Sequence, residues 1–354
     1  MGTKAKAGAC LKTLVKMALP LLKQAEAQCP RGPGAPPTVP DWLLAALIMI
    51  VILKKKKSKA AQLRYLRAHR SEIAEWLESQ QFPSRSMYYR RYRRAHRMYE
   101  VAVRLQGQQA IGEGVANPQH LAADKSLIEG QGPLWHAPDR KRNHVPHGVD
   151  TDTTWGQSKH DGWMQGYSYE VVVTATPDSI VFPLLASADT ASTSESKTFD
   201  RKIDRLPEGI ETVSADSAYD TNHLGERIEY EADGRRTGRH FLCRENPRHN
   251  SRQKTKPCGA DASRACSRER RKKRRAFYET KRGRKIYARR KKTVEPFNQW
   301  FKSLFELDYK VWHRGLDNNR TQLLAAIFAY QLLVRYNHKK NQFNGQIRHL
   351  LDAL

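Results

Sequence analysis

The chain has 354 residues, room for one large or two to three ordinary domains, and 63 Lys and Arg stand against 36 Asp and Glu for a formal charge of +27. Such a field attracts polyanions and makes nucleic acid the first partner to consider, while seven Trp, fourteen Tyr and ten Phe exclude a merely disordered basic tail. Five cysteines, odd in number and without a CxxC pair, exclude a disulfide framework and a zinc knuckle and fit a reducing compartment.

In residues 1–40, Lys12, Lys16 and Lys23 interrupt every apolar run, so no secretory leader is read, and the Pro- and Gly-rich run from Cys29 to Pro40 breaks regular structure. The whole segment is expected to be a disordered arm and linker. Trp42 to Leu53 is apolar but well short of the roughly 20 residues that span a bilayer, so a buried helix opened by Asp41 is expected and no membrane contact. Ala60, Leu63, Leu66, Ile73, Trp76 and Leu77 continue at helical spacing, and Pro83-Ser84 starts a third helical segment. There, Ser86 to Tyr99 interleaves arginines with tyrosines, which offers cations for phosphate and flat rings for stacking. A surface helix with its tyrosines packed beneath accounts for the pattern equally well. Residues 41–115 thus read as a small all-helical DNA-binding domain, loosely linked through Gly112-Glu-Gly114.

From His120 the texture changes. Leu121 to Glu129 reads as a strand carrying Asp124, residues 136–166 as an irregular loop, and Tyr167 to Thr176 with Ser179 to Ala188 as a hairpin turning at Pro177-Asp178. Ser194 to Leu206 is expected as a helix, Ile210 to Asp216 as a strand ending on an acid, Ser217 to Ile228 as a helix and Arg239 to Glu245 as a strand. Residues 247–285 are a strongly basic insertion, read as a DNA-gripping loop or a solvated one. Asp317 to Asn337 is the most regular apolar helix, and residues 338–354 form a basic tail.

The stretch from Ile286 to Lys302 sets one acid, Glu295, among cations and aromatics. Tyr287, Lys291, Glu295 and Lys302 recur at helical spacing, where Glu295 is either ion-paired or working. Two strand-borne acids upstream favour the second reading. The layout is α/β, a mixed sheet flanked by helices, in which Asp124, Asp216 and Glu295 converge. Three such acids repel one another unless a cation joins them, and hard divalent ions with oxygen ligands, Mg²⁺ first and Mn²⁺ as substitute, are the natural occupants. With DNA as partner, the matching chemistry is two-metal phosphoryl transfer, with Tyr287, Arg290, Lys291 and Lys302 holding the phosphates.

At these residues the chain resembles the IS4-type transposases of bacterial insertion sequences. The resemblance rests on Ala123-Asp124-Lys-Ser-Leu, on Ala215-Asp216-Ser-Ala-Tyr-Asp220, on Tyr287, Lys291, Glu295 and Lys302, and on Arg314-Gly-Leu before the last long helix. It implies an RNase H-like catalytic domain over residues 116–337, with Asp124, Asp216 and Glu295 as its DDE triad and metal ligands. Tyr287, Lys302 and Arg314 become DNA contacts, and either Arg290 or Lys291 fills the family's basic position, since each satisfies one of its two intervals. It further implies cleavage at terminal inverted repeats and strand transfer by a cytoplasmic, nucleoid-associated bacterial protein that dimerises on DNA. A transposase-derived DNA-binding protein without catalysis is the alternative, and an RNase H-like nuclease a third reading.

Rival residues have plainer readings. Glu129, Asp150 and Asp152 compete with Asp124, and Asp220 is read as a helix cap. His136, His144, His147 and His160 are read as loop histidines and Trp135, Trp155 and Trp163 as packing residues. Cys258, Cys266, His240 and His249 match no zinc pattern.

Overall fold

The computed structural model describes residues 10–30, 37–158, 162–246, 262–342 and 345–354. Six helices lead the chain: α1 (Leu11–Ala27), α2 (Asp41–Leu53), α3 (Lys59–Ala68), α4 (Arg70–Leu77), α5 (Arg85–Tyr92) and α6 (His96–Gly112). The apolar run is α2, and every residue from Leu43 to Leu53 is at most 1% exposed, as a helix without a polar face must be when its neighbours enclose it. Among the described residues no helix is long and apolar enough to cross a membrane.

Helix α1 corrects the expectation of a disordered arm over residues 1–40. Leu14, Val15, Ala18, Leu22 and Ala25 recur at steps of one helical turn and are fully buried, packed against α2 and α6. The lysines that break its apolar runs lie on the other face, where Lys12 pairs with Glu75 at 2.5 Å. Interruption by lysine is therefore amphipathicity. Residues 1–9 and 31–36 of that segment lie outside the described residues.

The arginine–tyrosine segment divides by face. Tyr88, Tyr92 and Tyr99 are fully buried, with Tyr88 donating to Gln62 Oε1 at 2.9 Å and Tyr99 to the Ala45 carbonyl at 2.5 Å, while Arg85, Arg90, Arg93, Arg94 and Arg97 are exposed. Those three rings are core, Tyr89 is half-buried, and the five arginines face solvent.

One mixed sheet of six strands follows: β1 (His120–Glu129), β2 (Thr154–Ser158), β3 (Gly162–Thr174), β4 (Pro183–Thr190), β5 (Thr212–Ala215) and β6 (His240–Cys243). Its order is β2-β3-β1-β5-β6, with β4 also on β3; β3 is antiparallel to β1, β2 and β4, while β5 is parallel to β1 and β6 to β5. The 136–166 stretch is more ordered than its His, Asp and Gly content suggests, because it contains a short helix, α7 (Ala137–Lys141), and β2 paired to the start of β3.

Helices α8 (Glu195–Asp200) and α9 (Asn222–Glu229) follow the strands, and α10 (Ala262–Glu279) packs on α9 and β6. Helix α11 (Lys281–Leu304) crosses β1 and β5; α12 (Leu316–Lys339), buried nearly throughout, packs on α6, α2 and β4; α13 (Arg348–Asp352) closes the chain. The basic 247–285 insertion is thus helical from Ala262 to Glu279, and its residues 247–261 lie outside the described residues. Of the 338–354 tail, residues 345–354 fold back, with Ile347, Leu350 and Leu351 buried and Lys55 paired to Asp352 at 3.3 Å. Buried residues of α1, α2, α6, the sheet, α11 and α12 form one continuous apolar cluster, so the 41–115 helices share the core of the sheet rather than enclosing their own.

Candidate functional site

The site begins with strand register. Because β1 and β5 are parallel with Ala122 opposite Ser214, Asp124 and Asp216 stand level, each two residues further along and on the same face. Neighbouring strands lie roughly 4.8 Å apart, so the two acids are adjacent by construction. Asp216 continues the extended backbone just past β5 and its Oδ1 accepts from Ala218 N at 2.8 Å, fixing the turn that follows.

Helix α11 lies across this pair. Arg290 Nη1 stands 3.6 Å from Asp124 Oδ1, and Asn298 Nδ2 donates to Asp124 Oδ2 at 2.9 Å. Tyr287, half-buried, bonds the Arg290 side chain. The stripe of α11 that faces the sheet is Ile286, Arg290, Val294, Phe297, Asn298 and Phe301, with Glu295 about 100° round the helix from Val294 and exposed. Lys291 is exposed on that same flank. Of the two candidate cations, Arg290 is therefore the one turned to Asp124. Lys302 donates to the Leu127 carbonyl at 2.7 Å, and Arg314 is exposed, just before α12.

Electrostatics mark the cluster. Burial pushes the Asp124 carboxyl up to about 7, with Arg290 pulling it down and Asp216, Glu295 and Glu170 pushing it further up. Glu195, in the first turn of α8, was not singled out in the sequence, yet burial pushes it up to about 8, Asp216 and Asp124 adding repulsion and Lys125 opposing it. The signal available was an acid just after a Thr-Ser cap; its convergence with Asp216 depends on tertiary packing.

Beneath these acids sits a second unsuspected one. Glu170 of β3, 2% exposed, accepts from Lys202 Nζ at 2.6 Å, from the Tyr219 hydroxyl at 3.2 Å and from Thr198 Oγ1. Thr198 belongs to α8 and Tyr219 to the turn after Asp216, so one buried ion pair ties both acid-bearing segments to the sheet. A glutamate inside Tyr-Glu-Val-Val-Val was the legible hint.

The rival acids are engaged elsewhere. Asp150 Oδ2 accepts from Tyr167 at 2.6 Å and Gly315 N at 3.0 Å, and Asp152 accepts from Leu316 N at 2.8 Å, so both serve the positive end of α12. Glu129 pairs with Lys310 at 2.9 Å, and Asp220 accepts from Arg271 at 2.6 Å and Asn246 N at 2.9 Å. His136, His144 and His147 are exposed; Trp135 donates to the His144 carbonyl, and Trp163 is 67% exposed, against its reading as a packing residue. His240 stacks on Phe277 and Cys266 is exposed, while His160, His249 and Cys258 lie outside the described residues.

Among the described residues no three His, Cys, Asp or Glu side chains are gathered closely enough to enclose a metal ion. The donor chemistry nonetheless suits one. Asp124 and Asp216 supply hard oxygens side by side, the charge of Asp124 is resisted by burial and by its acidic neighbours, and Arg290 provides the compensating cation. Mg²⁺ is usually held by one or two carboxylates together with substrate phosphates, which needs no complete protein cage.

Fold and site together define a helix-flanked mixed α/β protein with carboxylates gathered under a basic helix. The family model described as the transposase DDE domain (DDE_Tnp_1) matches residues 116–332, more than half of the chain, and the chain belongs to that family. Comparisons with curated proteins and with solved structures gave no match. Membership makes it a DDE transposase whose partner is DNA and whose family uses divalent metal ions.

Proposed function

We propose that the chain is an IS4-type insertion-sequence transposase, with an RNase H-like catalytic core, that cuts DNA at terminal inverted repeats and joins the freed 3′-hydroxyls to target DNA. The observation that carries this reading is the register setting Asp124 level with Asp216 beneath α11. Three antiparallel strands, β1, β3 and β4, followed by β5 and β6 parallel to β1, support the RNase H-like part.

In this reading Asp124, Asp216 and Glu295 would hold Mg²⁺, or Mn²⁺ in its place, which when bound would activate the attacking water or 3′-hydroxyl and stabilise the departing oxygen. Arg290, braced by Tyr287, offers a planar fork to a phosphate and so counters the repulsion between DNA and the acids. Lys291, exposed beside Glu295, and Arg314 attract flanking phosphates. Lys302 secures α11 to the Leu127 carbonyl and thereby fixes the height of Glu295 over the strands. Processing two element ends together calls for two copies of the chain on the DNA, in the cytoplasm at the nucleoid.

The test uses full-length protein, Mg²⁺ and a labelled duplex carrying the DNA that flanks the coding region. Nicking and joining are expected, with Asp216→Asn and Glu295→Gln each abolishing both while leaving binding intact. Cutting that survives both substitutions would overturn the site assignment. Tight binding without nicking under Mg²⁺ or Mn²⁺ would replace the transposase activity with a purely DNA-binding role.

A further inference from the structure

We propose that Asn298 is a positioning residue for Asp124, holding that carboxylate in the orientation in which it binds a divalent cation. The inference rests on the metal-dependent reading above. Asn298 comes one turn after Glu295 on α11 but faces the sheet and is 8% exposed. Its Nδ2 donates to Asp124 Oδ2 at 2.9 Å while Arg290 Nη1 stands 3.6 Å from Oδ1. The two oxygens of one carboxylate are therefore addressed separately, one by a neutral amide and one by a cation.

That division has a physical consequence. A carboxylate rotates in a broad, roughly two-fold well about its terminal bond, and a donor fixed on Oδ2 selects one setting of it. Oδ1 is left as the oxygen presented to positive charge, here the Arg290 guanidinium. Only the NH₂ end of the amide can face an ionised carboxylate, because carbonyl against carboxylate would set acceptor against acceptor.

The neighbours of Asn298 along α11 give no structural reason for an amide. Val294, Phe297 and Phe301 beside it on α11 are apolar and buried, and Asn298 Oδ1 is buried with no hydrogen-bond partner among the described residues. A buried acceptor left unmade costs about 1–3 kcal/mol, so an apolar side chain would suit packing better. What the amide does supply is its bond to Asp124.

A double-substitution cycle read by Mn²⁺ binding, measured by electron paramagnetic resonance on full-length protein without DNA, tests this. Asn298→Leu is expected to weaken Mn²⁺ binding roughly tenfold, the scale of one hydrogen bond to a charged group, with DNA affinity in EDTA unchanged. In an Asp124→Asn background the same substitution should cause no further loss, because the group it acts through is gone. Asn298→Ala, which cannot overpack the site, should behave as Asn298→Leu does, and cooperative melting of each variant reports that it is folded. Wild-type affinity in both Asn298 variants, or a full-sized loss persisting beside Asp124→Asn, would overturn the positioning role alone. Wild-type protein whose Mn²⁺ binding ignores Asp124→Asn would instead overturn the metal-site reading, and this inference with it.

Discussion

Asp124 is a carboxyl that the fold holds against its own ionisation. With Asp124 pushed up to about 7 and Glu195 up to about 8, the folded chain keeps protons that the unfolded chain releases near pH 4. The sign follows from linkage. The contribution of these two groups is complete below about pH 4 and is lost progressively as pH rises to about 7 for Asp124 and about 8 for Glu195, above which the folded state carries both charges and the loss levels off. In EDTA, Asp124→Asn should therefore raise the melting temperature at about pH 8 and flatten the loss of stability between about pH 4 and pH 7. Thermal melts followed by circular dichroism check this; an unchanged slope would exclude burial of Asp124 as its source. Glu170 is paired with Lys202 at 2.6 Å. Lys202→Met would leave a carboxylate uncompensated in a site where both side chains are at most 3% exposed, at a cost of about 3–5 kcal/mol. Adding Glu170→Gln should recover most of that loss in urea titrations, since removing both charges removes the penalty.

At the scale of elements, α6 packs on β4 and approaches it closely at Gly107. A Cβ on Gly107 would lie 2.7 Å from the Leu184 carbonyl of β4, and that neighbour is backbone, which cannot swing aside. Gly107→Ala gains about 1 kcal/mol of helix propensity but must force α6 off β4, so a net loss of about 1–2 kcal/mol is expected, read as a lower urea midpoint. Much of the site-bearing architecture was legible for the reason that strands advertise themselves locally. The Leu121–Glu129, Tyr167–Thr176 and Ile210–Asp216 runs carry their own alternation and turn residues, and their acids came with them. What stayed hidden depends on packing between distant segments. Glu195 reaches Asp216 only because α8 docks beside the turn after β5, and Asn298 sits among buried aromatics that gave no hint of a polar task. Arg290 could not be separated from Lys291 by spacing, because the two differ only by which side of the α11 stripe meets β1.

At the scale of the molecule, shared burial decides what can be cut away. Leu14, Val15 and Leu22 of α1 are fully buried, and each such side chain contributes about 1.5–3 kcal/mol. Against a typical total of about 5–15 kcal/mol, losing α1 removes a large fraction of the stability. Helix α12 is more exposed to this loss still, since α2 and α6 cover one side of it while β4 covers another. A fragment beginning at Val115, which an independent catalytic domain would survive, would uncover those apolar surfaces and leave Gln331 without the Val103 carbonyl it now donates to at 2.9 Å. Arg335 would lose Gln106 and Glu113 in the same cut, and with them the hydrogen bonds and ion pair that now hold it at 1% exposure between α6 and α12. The expected outcome is a full-length chain that melts in one transition, coincident by circular dichroism and tryptophan fluorescence, and a 115–354 fragment with no cooperative transition and exposed apolar surface that binds a hydrophobic dye. A fragment that melts cooperatively near the full-length midpoint would show that the sheet and its acids stand without the helices packed on them.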